Sequence, residues 1–343
     1  RWSGQGSRAT VLGFAPGTEV LIDLGAIKGP GVAKARLAFA DGNETWVEAN
    51  EVSSVGADRT IEIQVPFADI GLRPGESASL AVVASRGGRN VDLLPLGGPA
   101  EVKVPEVIVG KTLFKWDDPA GDDHGPGTYT YPLNAVFTPG VFDMLSFEVL
   151  EVQDDIVFQV RIASDITNPW NSPVGVSLQT IDIYIDTDHK PGSGKTEALG
   201  GRHVVFAPES AWEYAIWVEG WNQKVFTADG KEVQEAVRVS HDPVNKVISV
   251  RVPRAALGDP QANWGYQVFL MSQEGYPSPG NLRVREVLSA SQEWRLGGGD
   301  DSEGDPNVID LLAPPGTTQE DILGAYDVNA GKLAEVPMVY GAD

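Results

Sequence analysis

The chain has 343 residues, of which 42% are hydrophobic and 22% charged, so it is long enough to bury the cores of two domains. It contains no cysteine, which excludes disulfides, thiol catalysis and cysteine-ligated zinc. Its formal net charge of −22 disfavours nucleic acid and anionic membrane surfaces as partners, whereas cations and neutral ligands such as sugars suit it.

Alternating apolar and polar residues predict β-strands through the first third of the chain. Turn signals rich in glycine and proline separate these runs at intervals typical of an antiparallel sandwich. Residues 67–72 offer one helical turn at most. The predicted strands are Thr18–Gly25, Ala33–Phe39, Arg59–Phe67 and Ala78–Ser85.

A shift in charge predicts a domain boundary near Val102–Gly110. Residues 1–105 carry 12 acidic and 10 basic side chains, whereas the remainder carries 36 acidic and 16 basic ones. A proline in this stretch also interrupts the strand pattern. We therefore predict a small domain at residues 1–106 and a larger one at residues 107–343.

The larger domain is also predicted to consist of strands. Helix signals are scarce, and the best covers residues 317–326, with Thr317 or Thr318 as N-cap and Glu320 or Asp321 in the first turn. The fold class we predict is all-β, with two antiparallel β-sandwich domains and very little helix. The strands predicted here are Met144–Val152, Asp155–Ala163, Gln179–Thr187, Trp212–Gly220, Glu235–Asp242, Asn245–Pro253 and Gly265–Gln273.

The strand predicted at residues 179–187 alternates most regularly. One face carries three isoleucines, and the other carries Asp182, Tyr184 and Asp186. We expect the isoleucine face to pack in the core and the acidic face to meet water or a ligand.

Calcium prefers six to eight oxygen ligands on a chain that can curl around the ion, and three acidic loops offer such ligands. The first loop, residues 117–132, contains Asp117, Asp118, Asp122 and Asp123 among glycines that permit left-handed turns. It is either a structural calcium site or a solvated acidic turn between strands.

The second loop, residues 186–197, has acids at positions 1, 3 and 12 of a helix–loop–helix calcium loop, namely Asp186, Asp188 and Glu197. However, Lys190 and Pro191 stand where such a loop has a ligand and a glycine, and the flanking segment has a strand pattern. We therefore expect no EF-hand, while a different calcium loop using Asp186 and Asp188 remains open.

The third loop contributes Asp300, Asp301 and Asp305, and it is either a cation site or a flexible solvated loop. Histidines are scattered, so we do not predict a transition-metal site, although two of the four lie inside acidic loops. The histidines are His124, His189, His203 and His241.

Nine tryptophans are many for a chain of this length, and flat aromatic rings can stack on the apolar faces of sugars. Trp170 lies in a predicted loop, and Trp221 and Trp264 lie near predicted strand ends. These three are candidates for carbohydrate contact. The alternative for each is packing at an edge of the sandwich.

No catalytic group is predicted. A glycosidase needs two carboxylates across the scissile bond, and no pair stands out among 48 acidic residues. The chain contains neither a GxSxG nucleophile elbow nor an HExxH zinc motif.

Several long motifs of the second part, in this order along the chain, resemble the C-terminal binding module of glucodextranase. They are DPAGDDHGPGTYTYP, FTPGVFDMLSFEV, NPWNSPVGVSLQTIDIYID, GGGDDSEGDPNVIDLLAPPGTTQEDIL and VPMV, between about Thr112 and Val339. Similar modules are attached to pullulanases and other secreted amylolytic enzymes. The first part, notably VPFADIGLRPGESASLAVVASRGGRNVDLLPLGGPAEVKVP, is similar to the sandwich segment that follows the catalytic region of family 57 glycoside hydrolases.

This resemblance implies a β-sandwich akin to DOMON domains and family 9 carbohydrate-binding modules. It also implies that the chain supplies non-catalytic modules of a secreted amylolytic enzyme. These modules would bind an α-glucan or cell-wall polysaccharide, or anchor the enzyme at the cell surface, and we expect calcium to have a structural role in them. Because the chain begins at Arg1 and shows no catalytic domain, we expect it to be part of a longer protein or a standalone surface protein. The alternative is a subunit of an extracellular filament or surface layer that self-associates through its sheet edges. A standalone glycoside hydrolase is a third and weaker hypothesis.

Overall fold

The computed structural model describes residues 108–234, 237–274, 284–300 and 304–341, together with the strand backbone and a few single residues between 1 and 107. The chain divides into two compact units, residues 1–107 and 108–343. Apart from Leu72, the helical turn predicted at 67–72 lies outside the described residues, as do the predicted ligand Asp301 and the first two residues of Glu235–Asp242.

The first unit contains one antiparallel sheet of eight described strands, numbered here in chain order. They are β1 (Ser7–Phe14), β2 (Val20–Asp23), β3 (Gly31–Ala40), β4 (Trp46–Ala57), β5 (Ile61–Gln64), β6 (Ser77–Arg86), β7 (Arg89–Leu94) and β8 (Ala100–Lys103). The strand order is β5-β4-β3-β2-β1-β6-β7, and β8 also pairs with β6. The four strands predicted in this region correspond to β2, β3, β5 and β6. The strand β4 was not predicted. Its register with β3 shifts twice, and such irregularities interrupt the alternation of apolar and polar residues.

The second unit contains a five-stranded antiparallel sheet. Its strands are β9 (Lys111–Asp117), β10 (Met144–Val152), β11 (Asp155–Ile162), β17 (Arg238–Asp242) and β18 (Val247–Pro253). Their order is β17-β18-β11-β10-β9, so β9 lies at one edge of this sheet.

A seven-stranded sheet faces it. Its strands are β12 (Gln179–Asp186), β14 (Tyr214–Val218), β15 (Gln223–Thr227), β16 (Glu232–Val233), β19 (Gly265–Ser272), β20 (Asp310–Leu311) and β22 (Val339–Tyr340). Their order is β16-β15-β14-β12-β19-β20, with β22 also paired to β19. A short parallel pair, β13 (Val204–Phe206) with β21 (Ala334–Val336), completes the strands described in this unit.

The main core lies between these two sheets. Phe147 and Phe158 stack at 6.3 Å on the five-stranded side, and the three isoleucines of β12 meet them from the seven-stranded side. Burying such side chains stabilises each by roughly 1.5–3 kcal/mol relative to exposure. The prediction of an all-β fold is confirmed, and so is the core position of the isoleucine face.

The prediction that the acidic face of β12 meets water or a ligand is wrong. Every residue of β12 is buried, because a second apolar layer that includes Phe206, Trp212 and Leu323 covers the outer face of this sheet. Tyr184 packs in that layer. The Asp182 carboxylate is buried against Arg202, whose guanidinium donates two hydrogen bonds to it at 2.7 and 2.8 Å.

Helix is confined to short segments in the described residues. The helix α1 (Arg254–Leu257) was not predicted, whereas α2 (Gln319–Leu323) lies in the segment predicted to be helical. The Thr318 side chain caps α2 by accepting a hydrogen bond from the Asp321 N–H, as one of the two predicted N-caps. Within the described part of the chain, no helix is long and apolar enough to span a bilayer.

Candidate metal centre and aromatic surface

A long loop, residues 118–143, connects β9 to β10 and brings the two sheets of the second unit into contact. Its first residue continues the β9 ladder, because the Asp118 N–H donates to the Leu145 carbonyl at 3.0 Å. Further on, the Gly125 N–H donates to the Ile309 carbonyl at 2.9 Å, next to β20. The loop therefore crosses from an edge of the five-stranded sheet to an edge of the seven-stranded sheet.

Three carboxylates meet where the loop crosses. Oxygen atoms of Asp118, Asp122 and Asp310 all lie within 4.8 Å of one another. Asp310 opens β20 and is 0% exposed, and Asp118 is 9% exposed. A fourth carboxylate, Asp143, lies beside them and is also buried. We call these four residues the acidic cluster.

Among the described residues, two backbone N–H groups donate to carboxylates of the acidic cluster. The Met144 N–H donates to Asp310 Oδ2 at 2.6 Å, and the Gly121 N–H donates to Asp143 Oδ2 at 2.9 Å. Gly121 adopts a φ of +83°, which a residue with a side chain would rarely take, so the turn that aims this N–H depends on glycine.

Five buried oxygen atoms of the cluster receive no hydrogen bond from any described donor. They are both carboxylate oxygens of Asp118 and Oδ1 of Asp122, Asp143 and Asp310. Asp118 and Asp310 come close enough to share a hydrogen bond, but two carboxylates can do so only if one is protonated. Since a buried polar atom left unpaired costs roughly 1–3 kcal/mol, the cluster calls for a proton or a cation.

The electrostatics agree with the geometry. Burial, followed by the charge of Asp122, raises the pKa of Asp118 to about 8. Burial and the neighbouring Asp118 carboxylate also raise the pKa of Asp310 well above its usual value. Burial raises the pKa values of Asp122 and Asp143 to about 6. Each of these shifts means that the surroundings disfavour the negative charge unless a positive charge is added.

A second group of acids lies at the end of β12, where Asp186, Asp188 and Glu213 also come within 4.8 Å of one another. This group is well supplied with donors. Asp186 accepts from the His189 N–H at 2.7 Å and from the Tyr340 hydroxyl at 2.7 Å. We call this group the capped turn.

The other two acids of the capped turn are equally well supplied. Glu213 accepts from the Thr187 N–H at 2.7 Å, and Asp188 accepts from the Lys190 N–H and the Ser193 hydroxyl, both at 3.1 Å. Glu197, at position 12 of the rejected EF-hand pattern, is not among the three acids; the third is Glu213, which directly precedes β14.

Other predicted ligands belong to neither group, although Asp123 lies next to the acidic cluster. Asp117 is exposed and pairs with Lys115 at 3.2 Å, and the buried Asp123 accepts a hydrogen bond from the Tyr131 hydroxyl. In the third loop, Asp300 accepts from the Tyr326 hydroxyl at 3.0 Å, while Asp305 is buried beside it.

Sequence reasoning missed Asp143, Glu213 and Asp310. Two of them carry a recognisable signal, since Asp143 and Asp310 are lone acids inside the apolar runs GVFDML and VIDLLA. A charged residue in such a run is almost never fully buried unless it is paired, which marks it for attention. Glu213 has no comparable signal.

No histidine joins either acidic group within the described residues. His124 Nδ1 lies 3.0 Å from the Tyr129 carbonyl oxygen, and the His189 ring stacks on Tyr340 at 3.8 Å. Both groups therefore offer carboxylate oxygens, the donors that suit hard cations such as calcium.

An aromatic surface lies beside the same long loop. The rings of Trp170 and Trp294 lie 6.2 Å apart and are tilted by 55°, and each lies 6.3 Å from the ring of Phe137. Trp294 is 38% exposed and Trp170 is half-buried, whereas Phe137 is buried and supports the two tryptophan rings from the core. We call these three residues the aromatic platform.

Arg285 contacts all three residues of the platform and holds them in place. Its guanidinium lies 5.6 Å from the ring centroids of both Phe137 and Trp170, a geometry that is favourable for cation–π contact. It also donates to the Trp294 carbonyl at 2.6 Å. The rings are therefore held before any ligand arrives, which reduces the entropy lost on binding.

The three predicted sugar contacts have different surroundings. Trp170 belongs to the platform, and its partner Trp294 was not predicted because nothing local distinguishes it. Trp264 is 4% exposed and packs in the main core, which leaves little ring surface for a sugar. Trp221 is half-buried at the turn between β14 and β15, outside the platform.

Comparison with known proteins returns one family. A family model described as the C-terminal binding module, surface-layer-homology-like, of glucodextranase matches residues 113–339. The match includes every residue of the acidic cluster and of the aromatic platform. No curated protein matches the chain.

Proposed function

Because the chain belongs to the family of C-terminal binding modules of glucodextranase, we propose that its second unit attaches a protein to carbohydrate without catalysing a reaction. The family match over residues 113–339 carries this proposal. The family is described as a binding module rather than by an enzymatic activity, and a binding module needs a ligand-facing surface rather than catalytic groups.

The ligand we propose is a polysaccharide, either an α-glucan or a cell-wall polymer. The aromatic platform supports this choice because fixed, partly exposed tryptophan rings can stack on the apolar faces of sugar rings. The 55° tilt between Trp170 and Trp294 favours a polymer whose successive sugars are not coplanar, as in a coiled α-glucan. Trp221 stays a prediction for a further contact.

The location we propose is the cell surface or the extracellular space. The surface-layer-homology likeness in the family description supports this location, and polysaccharides of both candidate classes occur there. The net charge of −22 is compatible with neutral glucans and disfavours strongly anionic polymers.

Affinity electrophoresis of the complete chain in gels that contain starch, dextran or soluble cell-wall polysaccharide tests the proposal. We expect retardation by at least one polymer, with no release of reducing sugar. Trp294→Ala should weaken binding about 30-fold, because removal of a central aromatic contact costs at least about 2 kcal/mol. Trp170→Ala should act in the same direction.

Controls separate binding from folding. Trp116→Ala removes a half-buried tryptophan of β9 that belongs neither to the platform nor to the predicted contacts, so it should leave the retardation unchanged. Melting curves of all three variants report whether each remains folded. Wild-type protein that no polymer retards would contradict the proposal. If solution scattering then showed that the protein itself forms long assemblies, the filament hypothesis would replace the proposal.

A further inference from the structure

We propose that Asp118, Asp122 and Asp310 bind a single Ca²⁺ ion, with Asp143 beside it. The inference rests on the acidic cluster and is independent of carbohydrate binding. Its first support is convergence, because Asp310 of β20 and two aspartates of the loop that follows β9 place oxygen atoms within 4.8 Å of one another. Such close carboxylates repel one another unless donors, protons or a cation offset their charge.

The second support is the orphaned side chain of Asp118. This residue is 9% exposed, and both of its carboxylate oxygens lack a hydrogen-bond donor among the described residues. Asp310 adds a fully buried oxygen in the same state. In the part of the chain that the structure describes, no lysine or arginine forms an ion pair with any cluster residue. The described lysines and arginines therefore supply no counter-charge at this place.

A shared proton is the alternative, and it fits the geometry less well. One proton forms one hydrogen bond and can join one pair of carboxylates. Five orphaned oxygens lie in the cluster, so most of them would stay unpaired. A calcium ion accepts six to eight oxygen ligands and can satisfy several of these atoms at once.

The donor set favours calcium over other metals. Zinc prefers histidine and cysteine ligands, and the chain has no cysteine. Magnesium demands a near-ideal octahedron and usually keeps several waters, which suits an open site better than a buried one. A glycine-containing loop with carboxylates on two sides gives the irregular, oxygen-rich surroundings that calcium tolerates.

The ion would join three parts of the second unit. Asp118 directly follows β9 of one sheet, Asp310 opens β20 of the other, and Asp122 lies in the loop between them. A cation here would crosslink the sheets and hold the loop. It would therefore stabilise the folded state by mass action, because the unfolded chain does not assemble these ligands.

Thermal unfolding of the complete, chelator-treated chain tests the inference, with Ca²⁺ as the only added metal. We expect saturating calcium to raise the Tm of this unit by about 10 °C, given a thousandfold excess over Kd. Calorimetric titration at neutral pH should show that the wild-type chain binds one equivalent of Ca²⁺ and that the variants below lose this binding. Asp310→Asn and Asp118→Asn should each abolish most of the Tm shift.

Two comparisons keep the result interpretable. Asp165→Asn removes a carboxylate whose side chain is 83% exposed, and this variant should keep the full shift. In chelator, Asp118→Asn should melt no lower than the wild type, because one repulsive charge is gone; this would show that the variant folds. The inference would be overturned if calcium did not change the Tm of the wild type, or if Asp118→Asn and Asp310→Asn kept the full Tm shift. Either result would count whether or not the chain binds polysaccharide.

Discussion

Two fully buried aspartates of the same sheet, Asp182 on β12 and Asp310 on β20, have opposite surroundings. Asp182 receives two hydrogen bonds from the buried Arg202 guanidinium and a third from the Tyr184 hydroxyl at 2.9 Å. Asp310 receives one backbone hydrogen bond and faces other carboxylates, chiefly Asp118. Among the described residues, the fold therefore supplies a cationic side chain to Asp182 and none to Asp310.

This difference shows how the chain treats buried charge. Removing a carboxylate from water costs several kcal/mol unless an opposite charge and hydrogen bonds replace the solvent. Arg202 does this for Asp182 with a bidentate pair. The same requirement at Asp310 is the physical reason to expect an ion from solution.

The capped turn is intermediate between Asp182 and Asp310 in how its carboxylates are compensated. Asp188 and Glu213 are partly exposed and Asp186 is buried, and backbone N–H groups, hydroxyls and a lysine already satisfy all three. An ion would have to displace these donors to bind. Clustered acids therefore differ in whether they need an added cation, although both loops are recognisably acidic in sequence.

The largest expected effect comes from Arg202→Met. This change leaves Asp182 as a buried carboxylate without a cationic partner, which is the state that we infer for Asp310 when no ion is bound. Breaking a buried pair by removing one partner typically costs about 3–5 kcal/mol, so we expect that loss in the free energy of unfolding, measured by urea denaturation. Adding Asp182→Asn to this variant should restore part of the loss. Arg238→Met, which breaks an exposed pair with Asp155, is the matched control and should cost much less. A negligible loss in Arg202→Met would remove the premise of the comparison.

A smaller effect is expected for Gln319→Leu. The buried Gln319 side chain donates to the Asp122 carbonyl and accepts from the Leu311 N–H at 2.7 Å, so it ties the loop to β20. Its loss should cost about 1–3 kcal/mol, since the Leu311 N–H is left unpaired. Calcium should then bind more weakly, as titration calorimetry can measure. Gln261→Leu, the same change at an exposed position, should alter neither the free energy of unfolding nor the calcium affinity. An unchanged calcium affinity in Gln319→Leu would show that Gln319 does not help to position the acidic cluster.

The smallest effect is expected for Asp188→Asn in the capped turn. The asparagine keeps one carbonyl oxygen for the Lys190 N–H, so the free energy of unfolding should change by less than about 1 kcal/mol. The change should be equal with calcium and with chelator, as paired denaturation curves would show. Loss of a calcium response in this variant would transfer the proposed ion from the acidic cluster to the capped turn.

The sequence predicts the strands of the second unit well because alternation is local. The strand predicted at Met144–Val152 has the bounds of β10, and that predicted at Asn245–Pro253 contains β18. Alternation alone could not show that β12 is covered on its outer face, because Arg202 and the layer around it come from segments distant in sequence. The error about the acidic face follows from that.

The candidate site was half predictable for a similar reason. Asp118 and Asp122 lie in one conspicuous loop, whereas Asp310 reaches them only through the pairing of β20 with β19. Trp170 could be recognised as a loop tryptophan, but its partner Trp294 is brought to it by tertiary packing. Residue type and local spacing indicate ligands, and the fold decides which of them meet.

The most direct test of the account is an anomalous difference map from crystals of the chain grown with calcium. We predict one peak in the second unit, about 2.3–2.6 Å from oxygen atoms of Asp118, Asp122 and Asp310. A map without a peak there, with Asp118 and Asp310 at hydrogen-bonding distance from each other, would show that a proton fills the role and would contradict the account.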